Sequence, residues 1–313
     1  MFSFARSLSK PLLLCVVCLV VTGGTVAMGF GQTGGGTTGL AFLRIGVGAR
    51  AAGLGEAYTA LATDATATYW NPAGLAALPG SQIAFTHTEW LQDIRSEFLA
   101  FAFPAFGGHI GLSVNSTNVG GIERRVGPSD EPLGTIASHD LAFGVSYGRA
   151  LGAGLRAGLT VKYLYEKIYV ESTSGVAFDL GLSLQPFGEG LTLAAVLQNL
   201  GSMNALRQES VELPSTVRVG FAYHLALPAV TGGLTLAADA VKVKARDLRG
   251  HFGAELEVLQ YLGFRIGYQT GAEETGVSGG VGVAYKRYRL DYGYMPFSSN
   301  LGNTHRISIS VQL

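Results

Sequence analysis

Leu155-Arg156-Ala157-Gly158-Leu159-Thr160-Val161-Lys162-Tyr163-Leu164-Tyr165-Glu166 is the stretch that decides the fold. Leu155, Ala157, Leu159, Val161, Tyr163 and Tyr165 alternate with Arg156, Gly158, Thr160, Lys162, Leu164 and Glu166. Successive side chains of a strand point to opposite faces, so the segment has one apolar face and one small or polar face. The next segment repeats the pattern: Val176, Phe178, Leu180, Leu182 and Leu184 alternate with Ala177, Asp179, Gly181, Ser183 and Gln185. Working outward, about fourteen such segments begin near residues 81, 96, 109, 138, 154, 175, 190, 214, 232, 251, 262, 277, 288 and 304. An even number of ~10-residue alternating strands separated by turns predicts a transmembrane antiparallel β-barrel. A soluble β-sandwich or β-solenoid is the alternative. Tyr163, Tyr165, Tyr268, Tyr285, Tyr292 and Tyr294 near strand ends favour the barrel, because they read as an interfacial girdle.

Composition agrees. Of 313 residues 45 are glycine, charged residues are 14%, and hydrophobic residues reach 48% in short, scattered runs. Lys plus Arg and Asp plus Glu are both 22, which excludes a nucleic-acid binder working by bulk charge. Disorder and a multi-span helical membrane protein are excluded as well. The continuous apolar block is N-terminal: Arg6 and Lys10 precede Leu12 to Val21, with Thr25 and Ala27 at the −3 and −1 places of a cleavage site. This is the pattern of a secretory signal peptide over 1–27, too short for an anchor. Cys15 and Cys18 leave with it, so the mature chain has no thiol chemistry. Export to the outer membrane of a Gram-negative-type envelope follows. The expected organisation is signal peptide 1–27, plug or hatch 28–80 and barrel 81–313.

Connection lengths give a second line of evidence. Joints after strands two, four, six, ten and twelve are short; those after three and seven, Val119–Ala137 and Asn199–Leu213, are long. Short periplasmic turns and longer external loops place the N-terminus in the periplasm. With the apolar face toward lipid, Arg156, Lys162, Arg218, Arg265, Arg289, Arg306, Asp179, Asp239, Glu255, Glu257 and Asp291 point inward. An Arg or Lys on the lipid face near the midplane would cost ~2–4 kcal/mol. The two signs are balanced, so a paired network bracing the wall is expected rather than a selectivity ring. Gly111, Gly144, Gly148, Gly158, Gly181, Gly220, Gly253, Gly263, Gly267 and Gly293 share the inward face and leave volume. An Ala-rich helix over Ala49–Ala62 and the Asn71-Pro72-Ala73-Gly74 turn are the expected filler. Leu54, Tyr58, Leu61 and Trp70 could build an apolar lumen pocket.

Two runs carry a resemblance. Phe42-Leu43-Arg44-Ile45-Gly46-Val47-Gly48-Ala49-Arg50-Ala51-Ala52-Gly53-Leu54-Gly55-Glu56-Ala57 is the first. Asp64-Ala65-Thr66-Ala67-Thr68-Tyr69-Trp70-Asn71-Pro72-Ala73-Gly74-Leu75 is the second. Together they resemble the N-terminal region of the PorV/PorQ family, a branch of the wider FadL-like group of outer-membrane barrels. The ending His305-Arg306-Ile307-Ser308-Ile309-Ser310 is similar to its final strand, although the chain closes on Leu313 rather than an aromatic residue. The resemblance implies a fourteen-stranded barrel with its N-terminal segment folded inside, and a plug motif of Asp64, Tyr69, Trp70, Asn71, Pro72, Ala73 and Gly74. It also implies one of two functions. A PorV-like member serves type IX secretion, binding the C-terminal signal domains of cargo and presenting them to a surface sortase. A FadL-like member carries hydrophobic small molecules across the outer membrane. For a secretion partner the external loops offer Ile122, Arg124, Arg125, Val126, Met203, Leu206 and Val211, a mix of Arg and apolar residues useful at interfaces.

Enzymatic signatures are missing. Gly46-Val47-Gly48-Ala49-Arg50-Ala51 matches a dinucleotide fingerprint formally, but no βαβ unit surrounds it. His87, His109, His139, His224, His251 and His305 are not spaced as metal ligands. His139-Asp140 would point to opposite faces of one strand. No cofactor is expected, and a hydrolase assembled across strands is the minor alternative to a non-enzymatic barrel.

Overall fold

The computed structural model describes residues 39–91, 94–125, 127, 131–188, 190–206, 211–271, 276–297 and 302–313. The signal peptide at 1–27 with Cys15 and Cys18, the 28–38 part of the plug, and Val126 lie outside the described residues; Ile122 is described by its backbone alone. The strands are β1 (Gln82–Glu89), β2 (Arg95–Ala105), β3 (Gly108–Arg124), β4 (Gly134–Gly152), β5 (Leu155–Ile168), β6 (Glu171–Leu184) and β7 (Leu191–Met203). They continue with β8 (Thr216–Leu227), β9 (Gly232–Val243), β10 (Leu248–Val258), β11 (Leu262–Gln269), β12 (Val277–Tyr285), β13 (Tyr288–Pro296) and β14 (Asn303–Gln312). Each pairs antiparallel with its neighbour in sequence, and β1 pairs with β14 from Gln82↔Gln312 to Glu89↔His305, closing the barrel. Closure removes every sheet edge. The fourteen-stranded architecture expected from the alternation is the one observed.

The two faces separate by the same alternation. Phe85, Leu99, Phe143, Val161, Phe178, Phe221, Phe264, Val281, Leu290 and Ile309 are exposed on the outer wall. Lys162, Asp179, Arg218, Asp239, Glu255, Arg265, Asp291 and Arg306 are buried inside it. Charges inside and apolar side chains outside form the arrangement that a hydrocarbon surround demands.

One end of the barrel carries tight turns such as 106–107, 153–154 and 286–287; the other carries 125–133 and 204–215. The first long joint is shorter than expected because β3 runs on to Arg124 and β4 starts at Gly134, and the second because β7 runs on to Met203. The register slips between Val119 and Ile122 at that extension. Two joints at the long-loop end break the parity, the two-residue 169–170 and the four-residue 244–247, while 185–190 at the tight-turn end runs to six residues.

Residues 39–81 pass through the lumen. They contain α1 (Ala49–Gly53), α2 (Ala67–Trp70) and 3₁₀ turns at Ala41–Arg44 and Pro72–Ala77. The helix expected over Ala49–Ala62 stops at Gly53, because Gly55 and Glu56 both adopt a left-handed backbone at φ 62°. The chain bends there to follow the wall, where Gly53 and Gly55 lie against Gly280 and Gly267. Orientation gives a further correction. β1 starts beside the tight turns, with Ser81 O accepting from Leu313 N at 2.8 Å, but Gly39 N donates to Glu212 O of the long 204–215 loop at 3.0 Å. The plug therefore crosses the barrel once, from the long-loop mouth down to the short-turn end.

That threading is testable by thiol labelling. An Ala41→Cys variant should react with a membrane-impermeant maleimide on intact cells. Phe187→Cys, on a tip at the opposite end, should react only after the envelope is opened. The reverse pattern would overturn the orientation.

Candidate functional site

The plug has little secondary structure of its own, so its backbone polar groups must be satisfied by the wall. Ser308 Oγ accepts from Ala49 N at 2.7 Å and Ser278 Oγ from Gly55 N at 3.0 Å. Asp239 Oδ2 accepts from Tyr58 N at 3.1 Å, Thr59 N at 3.0 Å and Thr59 Oγ1 at 2.5 Å. Gln198 Nε2 donates to Tyr69 O at 2.6 Å, and Gln269 Nε2 to Gly55 O at 3.1 Å.

Ion pairs add a second set of ties. Glu255 of β10 is fully buried and receives Arg50 of α1 at 2.5 Å, Arg265 of β11 at 2.6 Å and Arg289 of β13 at 3.4 Å. Asp291 takes Arg265 at 2.8 Å and Arg289 at 3.0 Å. On β14, Arg306 donates to Glu56 at 2.9 Å. Lys162 pairs with Asp179 at 2.6 Å, so most of the buried inward charges are paired as expected, and Arg50 and Glu56 make the network a latch between plug and wall as well as a brace of the wall. Arg218 and Asp239 are instead met by hydrogen bonds, to Gln198 and to the plug backbone.

The Asn-Pro turn seats against three strands. Asn71 Oδ1 accepts from Ala73 N at 3.1 Å, while its Nδ2 donates to Thr59 O at 3.1 Å and Leu182 O of β6 at 3.3 Å. Pro72 opens the following 3₁₀ turn. A Cβ on Gly74 would stand 1.6 Å from Ala62 O, so only glycine fits. Across the contact, Cβ atoms on Gly148, Gly158 and Gly181 would fall within 2.4 Å of Pro72 or Asn71 atoms. The glycine face of the wall is where the plug presses.

The remaining motif residues form one aromatic knot. Tyr69 and Trp70 meet edge to face with centroids 5.0 Å apart, and Tyr58 meets Trp70 at 5.9 Å. Tyr69 OH donates to Leu43 O at 3.0 Å and Trp70 Nε1 to Val47 O at 2.9 Å, fixing the leading arm of the plug. Asp64 accepts from Tyr58 OH at 2.7 Å and Thr66 N at 2.8 Å.

Two cavities flank this knot. The upper chamber, at the long-loop end, has a volume of about 320 Å³. Its wall includes Phe42, Ile45, Trp90, Leu91, Ile94, Met295 and Phe297; charged groups around it are Arg44, Arg218, Arg246, Arg249, Glu56 and Asp140. The lower cavity, about 170 Å³, is polar, lined by Arg50, Tyr58, Asp64, Thr66, Gln82, Arg289, Asp291 and Ser308 among others. Of the four residues expected to build a lumen pocket, Leu54, Leu61 and Trp70 are spent on packing the plug, and only Tyr58 lines a cavity, the lower one. Trp90 and Phe297 were not legible as site residues: they stand in loops, on opposite sides of β1 and β14, and meet edge to face at 5.1 Å.

The external loop residues divide. Arg124 and Arg125 are exposed, Arg124 over the Tyr169 ring at 5.5 Å and Arg125 paired with Glu123 at 2.8 Å. Ile122 pairs through its backbone with Ile136. Met203 is buried against Leu40, Phe42 and Leu213, so it packs the upper plug and offers no external surface; Leu206 is half-buried. Val211 packs partly buried on the same cluster.

Fold and site define a plugged barrel of the outer-membrane type. Residues 20–157 match the model of a family described as "Uncharacterised protein family (UPF0164)". Over 307 residues the chain is 27% identical to a UPF0164 protein of Treponema pallidum (strain Nichols), covering 86% of this chain and 69% of that one. Among solved structures, the CymD monoaromatic hydrocarbon channel aligns with a TM-score of 0.58 at 13% identity, covering 85% of this chain and 96% of that one. The toluene transporter TodX of Pseudomonas putida aligns with a TM-score of 0.55 at 11% identity, covering 85% and 97%. These two share the fold.

Two substitutions probe the seat and the latch. In Gly158→Val the new Cβ would lie 2.3 Å from the Pro72 carbonyl carbon, a backbone atom that cannot swing away. The plug should be displaced, and single-channel conductance in planar bilayers should rise; unchanged conductance at normal yield would show that the contact does not hold the plug. Glu255→Gln leaves buried Arg265 and Arg50 undercompensated. Denaturant unfolding of the detergent-folded barrel should show a loss of roughly 3–5 kcal/mol, and a loss below about 1 kcal/mol would mean the ion pairs are dispensable.

Proposed function

We propose that this protein is a non-enzymatic outer-membrane barrel that admits hydrophobic small molecules from the long-loop side, with the plug closing the way below. The upper chamber carries this reading. It is concave, partly walled by Phe42, Trp90, Met295 and Phe297, and of about 320 Å³, within the size range of small-molecule sites. Support for the location comes from the apolar outer wall and from the fold shared with the hydrocarbon channel and the toluene transporter. Passage requires the leading arm, 40–48, to shift, since Trp70 and Val47 stand between the chambers.

A second reading, an accessory of type IX protein secretion, draws on the PorV/PorQ-like motif of the plug and on exposed Arg124 and Arg125 at the β3–β4 hairpin. Buried Met203 weighs against it. Uptake separates the two. Cells producing the protein should accumulate radiolabelled toluene or benzoate faster than cells lacking it, and a Trp90→Ala, Phe297→Ala double variant should fall back toward the background. No uptake of either solute, with exported proteins sharing a C-terminal domain co-purifying, would overturn the channel reading in favour of the second.

A further inference from the structure

The two ends of the barrel carry different charge. The long-loop end mixes both signs, with Arg125 paired to Glu123 at 2.8 Å and Lys244 to Glu212 at 3.0 Å. At the short-turn end Arg149, Lys286 and Arg287 are exposed, and none of the three makes an ion pair among the described residues. No acidic side chain among the described residues stands on the outward wall or in the turns of that end. Asp64 and Glu257 face the lumen, and Glu189 lies outside the described residues.

The turn between β12 and β13 concentrates this feature. The apolar outer face of Val281, Val283 and Leu290 runs down to Tyr285 and Tyr288, a directly opposed pair 62% and 54% exposed. Lys286 and Arg287 form the tip between them. Lys286 Nζ lies 5.3 Å from the Tyr285 ring centroid, and the Arg287 guanidinium carbon lies 6.0 Å from that of Tyr288. Elsewhere on the same rim, Tyr147 OH donates to Phe106 O at 2.8 Å, and exposed Arg149 follows Tyr147 on the outward face of β4. Apolar wall, then a ring with a polar edge, then a cation is the order of layers met on leaving a bilayer.

We propose that this rim docks an anionic glycerophospholipid of the periplasmic leaflet, its phosphate on Lys286 and Arg287 and the start of its acyl chains against Tyr285 and Tyr288. The inference rests on the short turns lying in the periplasm and is independent of what the barrel carries. A phosphate supplies the acceptors that this turn lacks, and charge-assisted bonds to guanidinium and ammonium are the strong ones. A zwitterionic lipid brings its own ammonium to the same place and gains less. A periplasmic protein would have to cover two tyrosines that continue the hydrocarbon-facing wall, and so would have to enter the bilayer.

Full-length protein in detergent is offered equal amounts of dioleoyl-phosphatidylglycerol and dioleoyl-phosphatidylcholine, and retained lipid is counted by native mass spectrometry. Retention should favour phosphatidylglycerol by at least about ten-fold and move toward parity as ammonium acetate is raised. A Lys286→Gln, Arg287→Gln double variant should bring the ratio to within about two-fold of parity, with phosphatidylcholine retained as before. Should that variant not assemble, Arg287→Gln alone and the salt series on the unaltered protein read the same preference. Equal retention of the two lipids by the unaltered protein, or a preference that survives in the double variant, would overturn the docking surface. Release of phosphatidylglycerol by an equal amount of glycerol 3-phosphate would overturn the lipid as occupant, because the turn would then be holding phosphate alone.

Discussion

A closed barrel of fourteen strands is wider than its own inward side chains can fill when many of them are glycine, and everything else in this protein follows from how that space is occupied. The filler is a segment with two short helices, α1 of five residues and α2 of four. Such a segment cannot satisfy its backbone by itself, and in the lumen little water is available to do so. Ser278, Ser308, Asp239, Gln198 and Gln269 therefore stand in for solvent, each bonded to a plug N–H or C=O. Glycine and these polar residues are complementary parts of one device: glycine lets backbone approach backbone, and the polar side chains settle the groups that approach buries.

The ion pairs do a different job. Taking Glu255 and its arginines out of water costs several kcal/mol per ion, which their mutual attraction repays only with good geometry. A lumen packed with leucine would hold the plug as well or better. What the charges add is register: Arg50 can reach Glu255 only when α1 lies across β10 to β13, and Glu56 can reach Arg306 only with its left-handed backbone. A non-glycine residue held at positive φ is strained, and here the strain aims a carboxylate at the one guanidinium it meets. Position is specified by pairs that would be expensive to leave half made.

How much of this was legible depends on where lipid acts. The strand starts read from alternation lie within a few residues of those observed, because an apolar outer face is obligatory wherever the wall meets hydrocarbon. β4 and β6 begin four residues earlier than read, at Gly134 and Glu171. Thr135, Ser172, Thr173 and Ser174 stand in that overhang, and beyond the belt nothing requires alternation. The inward charges were legible for the same reason. The presence of a plug was legible but its path was not: its alanine-rich run carries helix propensity, yet that path is set by contact with Gly253, Gly267 and Gly280, which are about two hundred residues away in sequence. The chamber was least legible of all. Phe42, Trp90, Arg218, His251 and Phe297 come from five separate stretches, and no local pattern joins them.

The position of that chamber is a consequence of threading direction. Below the knot of Tyr58, Tyr69 and Trp70, the plug is bonded to the wall from β1 round to β14 and packs Leu75 against Gly111 of β3 and Gly148 of β4. Above it, the arm from Leu40 to Gly48 leans on β4 to β7, with Leu40, Phe42 and Leu43 set against Ala142, Leu164 and Ala177. An arm on one side of a wide lumen leaves space beside it, and that opening is lined chiefly by β8 to β11 and β13, with Thr117, Asp140 and Gln198 from β3, β4 and β7 and with Trp90 and Phe297 from the loops. The arm is tied to the knot by Tyr69 and Trp70, each through a single hydrogen bond to a carbonyl. The part of the plug that would have to move is the part that forms the wall of the cavity a solute would enter.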